Sequence, residues 1–374
     1  MVRLELFVSH LTFAYDIYMY SLPTEIASHP DRKAFQAFFW KTGGVRSWCF
    51  PLHLEDGEKQ YDLLIWIFGP LEESSFLSRV LRRPIVYGFI SLVDRQRSEY
   101  HFEEIISPFA PFTQGKGEDG LPVRLGPLEA IHDGHTITLR IRTNRFLCTA
   151  TLMPEKSLTT LSDEDMRARC SHLNQWSFYG RCDVTGFLTD RRTSISRLIV
   201  GVGLYEYWLS KTFPRNYANF FSMWAYVFMS DGREFVFSHG PWEDSHITIG
   251  LIIQKNGLAR TFFGTDVSWH IDSWTKSSKS GASYPAQWMC EIPSASLCCV
   301  FQPVLSNQEM DGSKLLSLRA WGGISRCTVT IDGKSNECIA YVFAIGKQRF
   351  VVRLFFHLGS FIYWVRWHLK TKIR

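Results

Sequence analysis

The stretch at 136–153, TITLRIRTNRFLCTATLM, alternates apolar and polar side chains almost without interruption, and the same pattern returns along much of the chain. A period of two places successive side chains on opposite faces of an extended strand, whereas the apolar stripe of a helix repeats every three to four residues. Further runs are EFVFSH after Asp231-Gly232, ITIGLIIQKNG at 247–257, SLCCVFQPVL at 296–305 and CTVTIDGKS at 327–335. The Asp-Gly and Asn-Gly pairs among them supply the positive φ angles of tight hairpin turns, so Asp231-Gly232 reads as a turn and not as a catalytic acid. The expected fold is mainly β, with few helices, as two tandem antiparallel barrels or sandwiches. Closing the sheets removes their exposed edges.

One helix is predicted at 159–173, TTLSDEDMRARCSHL, where Ser162 followed by acidic residues has the form of a capped N-terminus. A chain of 374 residues exceeds the usual size of one core. The organisation read from it is an N-terminal extension at 1–30, a β domain at 31–200, a second at 201–346 and a basic, aromatic tail at 347–374. Segment 107–127 is rich in Pro and Gly and reads as a long loop of the first domain, either a surface connection or a lid.

The net charge of +5 would suggest nucleic acid if it were spread over the chain. It is concentrated instead. Seven Lys or Arg and no acid lie at 347–374, which leaves the remainder at −2. No zinc-finger spacing, phosphate loop or RNA-binding aromatic signature is present. Nine cysteines without a Cys-x-x-Cys pair argue against a disulfide framework or structural zinc, and the scattered His132, His135, His239, His246 and His270 have no metal-ligand spacing. The apolar start of the chain is interrupted by His10 and Asp16 and lacks the form of a signal peptide, so the expected location is intracellular and cytoplasmic. Ser283 in GASYP is not in a nucleophile elbow.

Segment 203–232, GLYEYWLSKTFPRNYANFFSMWAYVFMSDG, is dense in Phe, Tyr and Trp around Glu206. If 204–209 is a strand, Leu204, Glu206 and Trp208 share one face and Tyr205, Tyr207 and Leu209 the other. In MWAYVFM, Trp224, Tyr226 and Phe228 share a face opposite Met223, Ala225, Val227 and Met229. If both polar-bearing faces enter one cavity, Glu206 loses hydration there. Its pKa rises, and it becomes a proton donor near neutral pH. The aromatic faces would stabilise positive charge developing on an alkene. The other reading is that Glu206 faces water and the aromatics are core. In the first reading Glu206 and Tyr226 are the catalytic candidates, and Tyr205, Trp208, Trp224 and Phe228 bind substrate.

The stretches at 177–210 and 221–237, with 272–310 (DSWTKSSKSGASYPAQWMCEIPSASLCCVFQPVLSNQEM) and 320–346 (AWGGISRCTVTIDGKSNECIAYVFAIG), resemble the hydroxyneurosporene-synthase-like proteins. These include carotenoid 1,2-hydratases, AttH-like proteins and fungal Diels-Alderases. The resemblance covers about 176–346, with a fainter match upstream. It implies two lipocalin-like β domains, a ligand cavity, no cofactor and an apolar, polyene-like substrate. Where the carotenoid hydratases place His and Trp in one strand, this chain has Glu206 and Trp208. Where they place Tyr and Asp in the next, it has Tyr226 and Phe228. One acid is gone and another has arrived, which argues against carotenoid hydration and keeps acid-assisted or shape-directed cyclisation.

The tail, RFVVRLFFHLGSFIYWVRWHLKTKIR, has an apolar centre of 12 residues at 354–365, too short to span a bilayer. Its basic and Trp boundaries suit an interfacial helix on an anionic membrane, and a terminal helix docked on the protein is the second reading. The expected activity is that of a cofactor-independent cyclase or isomerase, or a hydratase, acting on a polyene, isoprenoid or polyketide in secondary metabolism. The alternative is a carrier of lipids or hydrophobic metabolites. The expected partner is a hydrophobic small molecule, with no metal and no nucleic acid.

Overall fold

Alternating sequence becomes strand throughout the described part of the chain. The computed structural model describes residues 45–71, 85–106, 112–114, 120–161, 173–210, 222–242, 245–305, 308–312 and 318–345. They form two curled antiparallel sheets within one unit, Gly44–Arg374.

In the first sheet, β1 (Val45–Glu55), β2 (Gln60–Leu71), β3 (Ile85–Asp94) and β4 (Glu99–Ile106) meander outward from the centre. The other wing holds β5 (Phe112–Gln114), β6 (Val123–Leu125), β7 (Leu128–His132), β8 (Ile137–Arg142) and β9 (Phe146–Pro154). The short β10 (Thr159–Leu161) pairs with β11 (Leu173–Asp190), and β12 (Ile195–Ser210) lies between β11 and β1. The expected boundary at residue 200 falls inside β12, because that strand completes the first sheet.

The second sheet repeats the scheme. Its meander is β13 (Ser222–Phe228), β14 (Glu234–Trp242), β15 (Ser245–Ile253) and β16 (Ala259–Phe263). Its other wing is β17 (Ser268–Lys276), β18 (Ser283–Ile292), β19 (Leu297–Pro303) and β21 (Leu318–Ile331), with β20 (Glu309–Gly312) beside β21 and β22 (Lys334–Ile345) closing against β13. Each sheet therefore has its first and last strands at the centre, β1–β12 in one and β13–β22 in the other. The two-domain, lipocalin-like β fold expected from the sequence is the one observed.

The turns follow the expected chemistry. Asp332 and Gly333, between β21 and β22, both take positive φ (49° and 76°), as a two-residue hairpin turn requires. Gly232 has φ 85° and returns its N–H to the Met229 carbonyl, while Asp231 is exposed and accepts a 2.8 Å bond from Arg233 Nε. Asp231-Gly232 is a turn.

Several expectations are corrected or lie elsewhere. At 159–173, residues 159–161 form β10 instead of helix and 162–172 lie outside the described residues, as do 1–44 and the tail from 346 onward. Among the described residues there is no α-helix, and no helix is long and apolar enough to cross a membrane. Segment 107–127 is not all loop, since 112–114 and 123–125 pair as β5 and β6. Its Gly120 carbonyl accepts a 3.1 Å bond from Trp48 Nε1, and Leu121, Val123 and Leu125 enter the first core. The Pro and Gly residues masked three apolar positions.

Alternation along every strand generates three cores. One fills the curl of the first sheet (Trp48, Phe50, Tyr205 and neighbours), one that of the second (Trp288, Phe301, Phe237), and a third is made by the outer faces of both (Trp66, Phe68, Trp176, Phe178, Tyr226, Phe343). A one-residue slip of β12 would exchange its two buried faces, which pins the register. A polar tie also joins the sheets. Lys156, just after β9, pairs with Glu234 of β14 and donates a 2.7 Å bond to the Gly232 carbonyl, with both side chains more than nine-tenths buried. Gly180 of β11 lies against that carboxylate, where a Cβ would collide with it.

Candidate active site

The shared core is mostly apolar, and Glu206 is its buried acid at the centre. β12 runs without a register shift against β1, so Glu206 stands beside Cys49 on one side and Phe178 of β11 on the other. Leu204, Glu206 and Trp208 point to the shared core, while Tyr205, Tyr207 and Leu209 point into the first sheet. In β13, Trp224, Tyr226 and Phe228 face the shared core, and Met223, Ala225, Val227 and, just past the strand, Met229 face the second sheet's interior. The two polar-bearing faces expected from the sequence to share one site thus meet across the two sheets.

A bulge completes the arrangement. Pairing of β11 with β12 shifts by one residue between Tyr179 and Cys182. Even-numbered residues beyond the bulge, Cys182 and Val184, enter the first core, whereas Trp176 and Phe178 before it turn to the shared one. Trp176 is paired directly with Trp208, and its Nε1 donates a 2.6 Å hydrogen bond to Glu206 Oε1.

Glu206 is 6% exposed. Loss of hydration raises its pKa to about 7, against the opposing pull of the Tyr226 hydroxyl and the Trp176 indole, which favour the carboxylate. The Tyr226 hydroxyl is buried beside the carboxyl without completing a hydrogen bond of good geometry. It is positioned to tighten onto either the acid or a bound molecule. Burial, then Glu206 and Cys49, holds the Tyr226 phenol well above its usual range, and burial followed by Glu206 does the same to the Cys49 thiol. Tyr341, paired with Tyr226 in register, is also raised, first by burial and then by Cys49. Of these four, Glu206 is the group that changes charge near neutral pH.

Trp208, Trp224 and Phe228 are partly buried around this centre, with Trp224 5.4 Å from Phe343 between ring centroids. Tyr205 is a correction. It is fully buried on the opposite face and stacks on Phe50 at 4.9 Å, because an odd-numbered residue of β12 cannot share the Glu206 face. Trp176, Cys49, Trp66, Tyr341 and Phe343 belong to the centre and were not singled out from the sequence. Trp66, whose Nε1 donates to Ser47 Oγ at 2.6 Å, meets Phe343 edge-on across the sheets at 4.7 Å. The Ser-rich turn has a structural explanation: Ser277 Oγ and the hydroxyl of Tyr284 donate to Glu309 at 2.5 and 2.7 Å. Of the histidines, His239 shares a 2.9 Å bond with Thr248 and stacks on Trp269, and His270 lies 3.2 Å from Asp272. Among the described residues no three His, Cys, Asp or Glu side chains group as a metal site.

No protein-family model matches the sequence, and comparison with curated proteins finds no match. Solved structures share the fold. A protein assigned as an AttH from Nitrosomonas europaea superposes with a TM-score of 0.65 at 16% identity, over 82% of this chain and 93% of its own. Kievitone hydratase from Nectria haematococca gives 0.61 at 12% identity, over 81% and 89%. CghA, solved with Sch210972, gives 0.55 at 11%, over 82% and 89%. These likenesses establish the fold, and it is the one that the resemblance at 176–346 implied.

Proposed function

We propose that this protein is an acid-assisted catalyst of small-molecule biosynthesis, which isomerises, cyclises or hydrates an apolar polyene, isoprenoid or polyketide intermediate held between its two sheets. The observation that carries this reading is the buried carboxyl of Glu206, which has no cationic partner among the described residues of the shared core, is held by Trp176 and flanked by Tyr226, and has a pKa raised to about 7. A hydratase among the proteins of the same fold supports it.

The chemistry balances on these residues. The neutral Glu206 carboxyl gives its proton to one carbon of an alkene, whose π pair forms the new C–H bond, and the adjacent carbon becomes cationic. A second double bond of the same molecule can capture that cation and close a ring, after which a neighbouring C–H returns its proton to the carboxylate. Water can capture it instead, and the oxonium proton then returns to Glu206. No electrons are gained or lost. A pKa near 7 keeps the acid protonated but does not make it strong, so most of the driving force has to come from stabilising the cation. The faces of Trp208, Trp224, Trp176 and Phe228 serve that role, and holding the substrate close to its reactive shape lowers the barrier further.

The test compares metabolite extracts from the source organism with the gene intact, deleted, and restored as Glu206→Gln. An accumulated species equal in mass to the lost product identifies isomerisation or cyclisation, and one lighter by a water identifies hydration. The Glu206→Gln strain should accumulate the same species as the deletion. An unchanged profile on deletion would contradict catalysis and favour the carrier reading.

A further inference from the structure

A second cleft lies far from Glu206, at the end of the first sheet where four hairpin turns converge. The β1–β2, β3–β4, β8–β9 and β11–β12 turns surround a cavity of about 390 Å3. It opens on the interior face of the sheet, whereas Glu206 faces outward. Nine residue steps along β12 separate Glu206 from Arg197 at the cleft, about 30 Å of extended chain.

The cleft joins an apolar floor to a cationic rim. Tyr61, Leu92, Phe146 and Leu188 form the floor and are continuous with the first core. Lys59, Arg97, Arg145, Arg192 and Arg197 line the rim, against Asp94, Glu99 and Asp190. Ion pairing within the cleft leaves positive charge over. Arg145 and Arg192 share Glu99 and Asp190, at 2.9 and 3.7 Å for the first and 3.4 and 3.5 Å for the second. Arg197 is held by Asp56 at 3.0 Å. Arg97 makes only a 3.9 Å approach to Asp94, and Lys59 has no carboxylate partner among the described residues.

We infer that this cleft binds one small amphiphilic anion, a carboxylate on an apolar body. Lys59 and Arg97 receive the headgroup, and the body lies over Leu92, Phe146 and Leu188. The volume is at the lower end of small-molecule sites, which fits a medium-chain acid and not a long lipid. An aliphatic alcohol of the same length would keep the apolar contacts and lose the charge-assisted bonds. The inference is independent of the proposed reaction, since none of the residues assigned to headgroup or body belongs to the Glu206 centre; Tyr100, which also lines the cleft, packs against the shared core.

Calorimetric titration of the full chain with decanoate and with decanol tests it. The expected result is saturable decanoate binding at one per chain, about tenfold or more tighter than decanol. Lys59→Met with Arg97→Met should abolish the preference for the acid without altering the near-ultraviolet circular dichroism, and Trp208→Ala, at the inter-sheet centre, should leave decanoate binding unchanged. Equal affinity for acid and alcohol, or no saturable binding of decanoate, would overturn the inference in the unaltered protein alone. So would a preference that survives the double substitution, or decanoate binding lost in Trp208→Ala, which would place the ligand between the sheets.

Discussion

Trp176 Nε1 lies 2.6 Å from Glu206 Oε1, and the two meet because a bulge between Tyr179 and Cys182 turns Trp176 onto the face that Glu206 occupies. The indole donor favours the charged carboxylate. Trp176→Phe keeps most of the apolar volume and removes the donor, so the pKa of Glu206 should rise by about one to two pH units. Carboxyl carbon NMR titration of the variant against the parent would show it, and an unmoved midpoint would mean that the bond has no electrostatic role.

Glu206 also ties stability to pH. Its pKa is raised from 4.5 to about 7 on folding, so the folded protein holds this proton more tightly than the unfolded chain. The contribution is fully present below pH 4.5 and is lost as pH rises through 7, an effect of about 3 kcal/mol. Glu206→Gln should flatten that loss and be the more stable protein at pH 8. Denaturant midpoints at pH 4.5, 6 and 8 measure it; equal pH slopes in the two proteins would exclude a buried, titrating Glu206.

Once a substrate is in hand, Glu206→Gln should lower turnover about a hundredfold or more, the usual contribution of a general acid, while affinity stays within about threefold. Tyr226→Phe should lose less, about tenfold, since the Tyr226 hydroxyl is placed to tighten onto the acid or the substrate and does not transfer the proton. Parent activity should decline above pH 7 as Glu206 ionises. Single-turnover kinetics separate these effects from binding, and full turnover in Glu206→Gln would remove its role as the acid.

The Lys156–Glu234 pair joins the sheets with both side chains more than nine-tenths buried. Lys156→Met leaves a buried carboxylate without its partner and should cost about 3–5 kcal/mol. Adding Glu234→Gln to that variant should recover much of the loss. A double-mutant cycle in urea provides the numbers, and additive effects would show that the two side chains do not interact.

What the sequence disclosed and what it concealed divide on physical lines. β12 and β13 contain no bulge, so the period-two reading of 204–209 and 223–229 assigned every side chain there to its observed face. Period two does not say which surfaces meet, and the contact of the Glu206 face with the Tyr226 face across two sheets depends on how the sheets dock. Trp176 escaped notice because the β11 bulge reverses the alternation between it and Val184, and no local residue pattern announces that shift. Tyr205 was placed with the site by proximity in sequence, against its own parity. Lys156 and Glu234 are distant in the chain, and their pairing depends on how two sheets dock. The strands hidden in 107–127 were too short for their alternation to stand out from the surrounding Pro and Gly.

The measurement that bears most directly on the central claim is a carboxyl carbon NMR titration of the protein labelled at glutamate, from pH 4 to pH 9. The account predicts one resonance with a midpoint near 7 that is missing in Glu206→Gln. A spectrum in which every glutamate titrates near 4.5, with nothing lost on substitution, would contradict it.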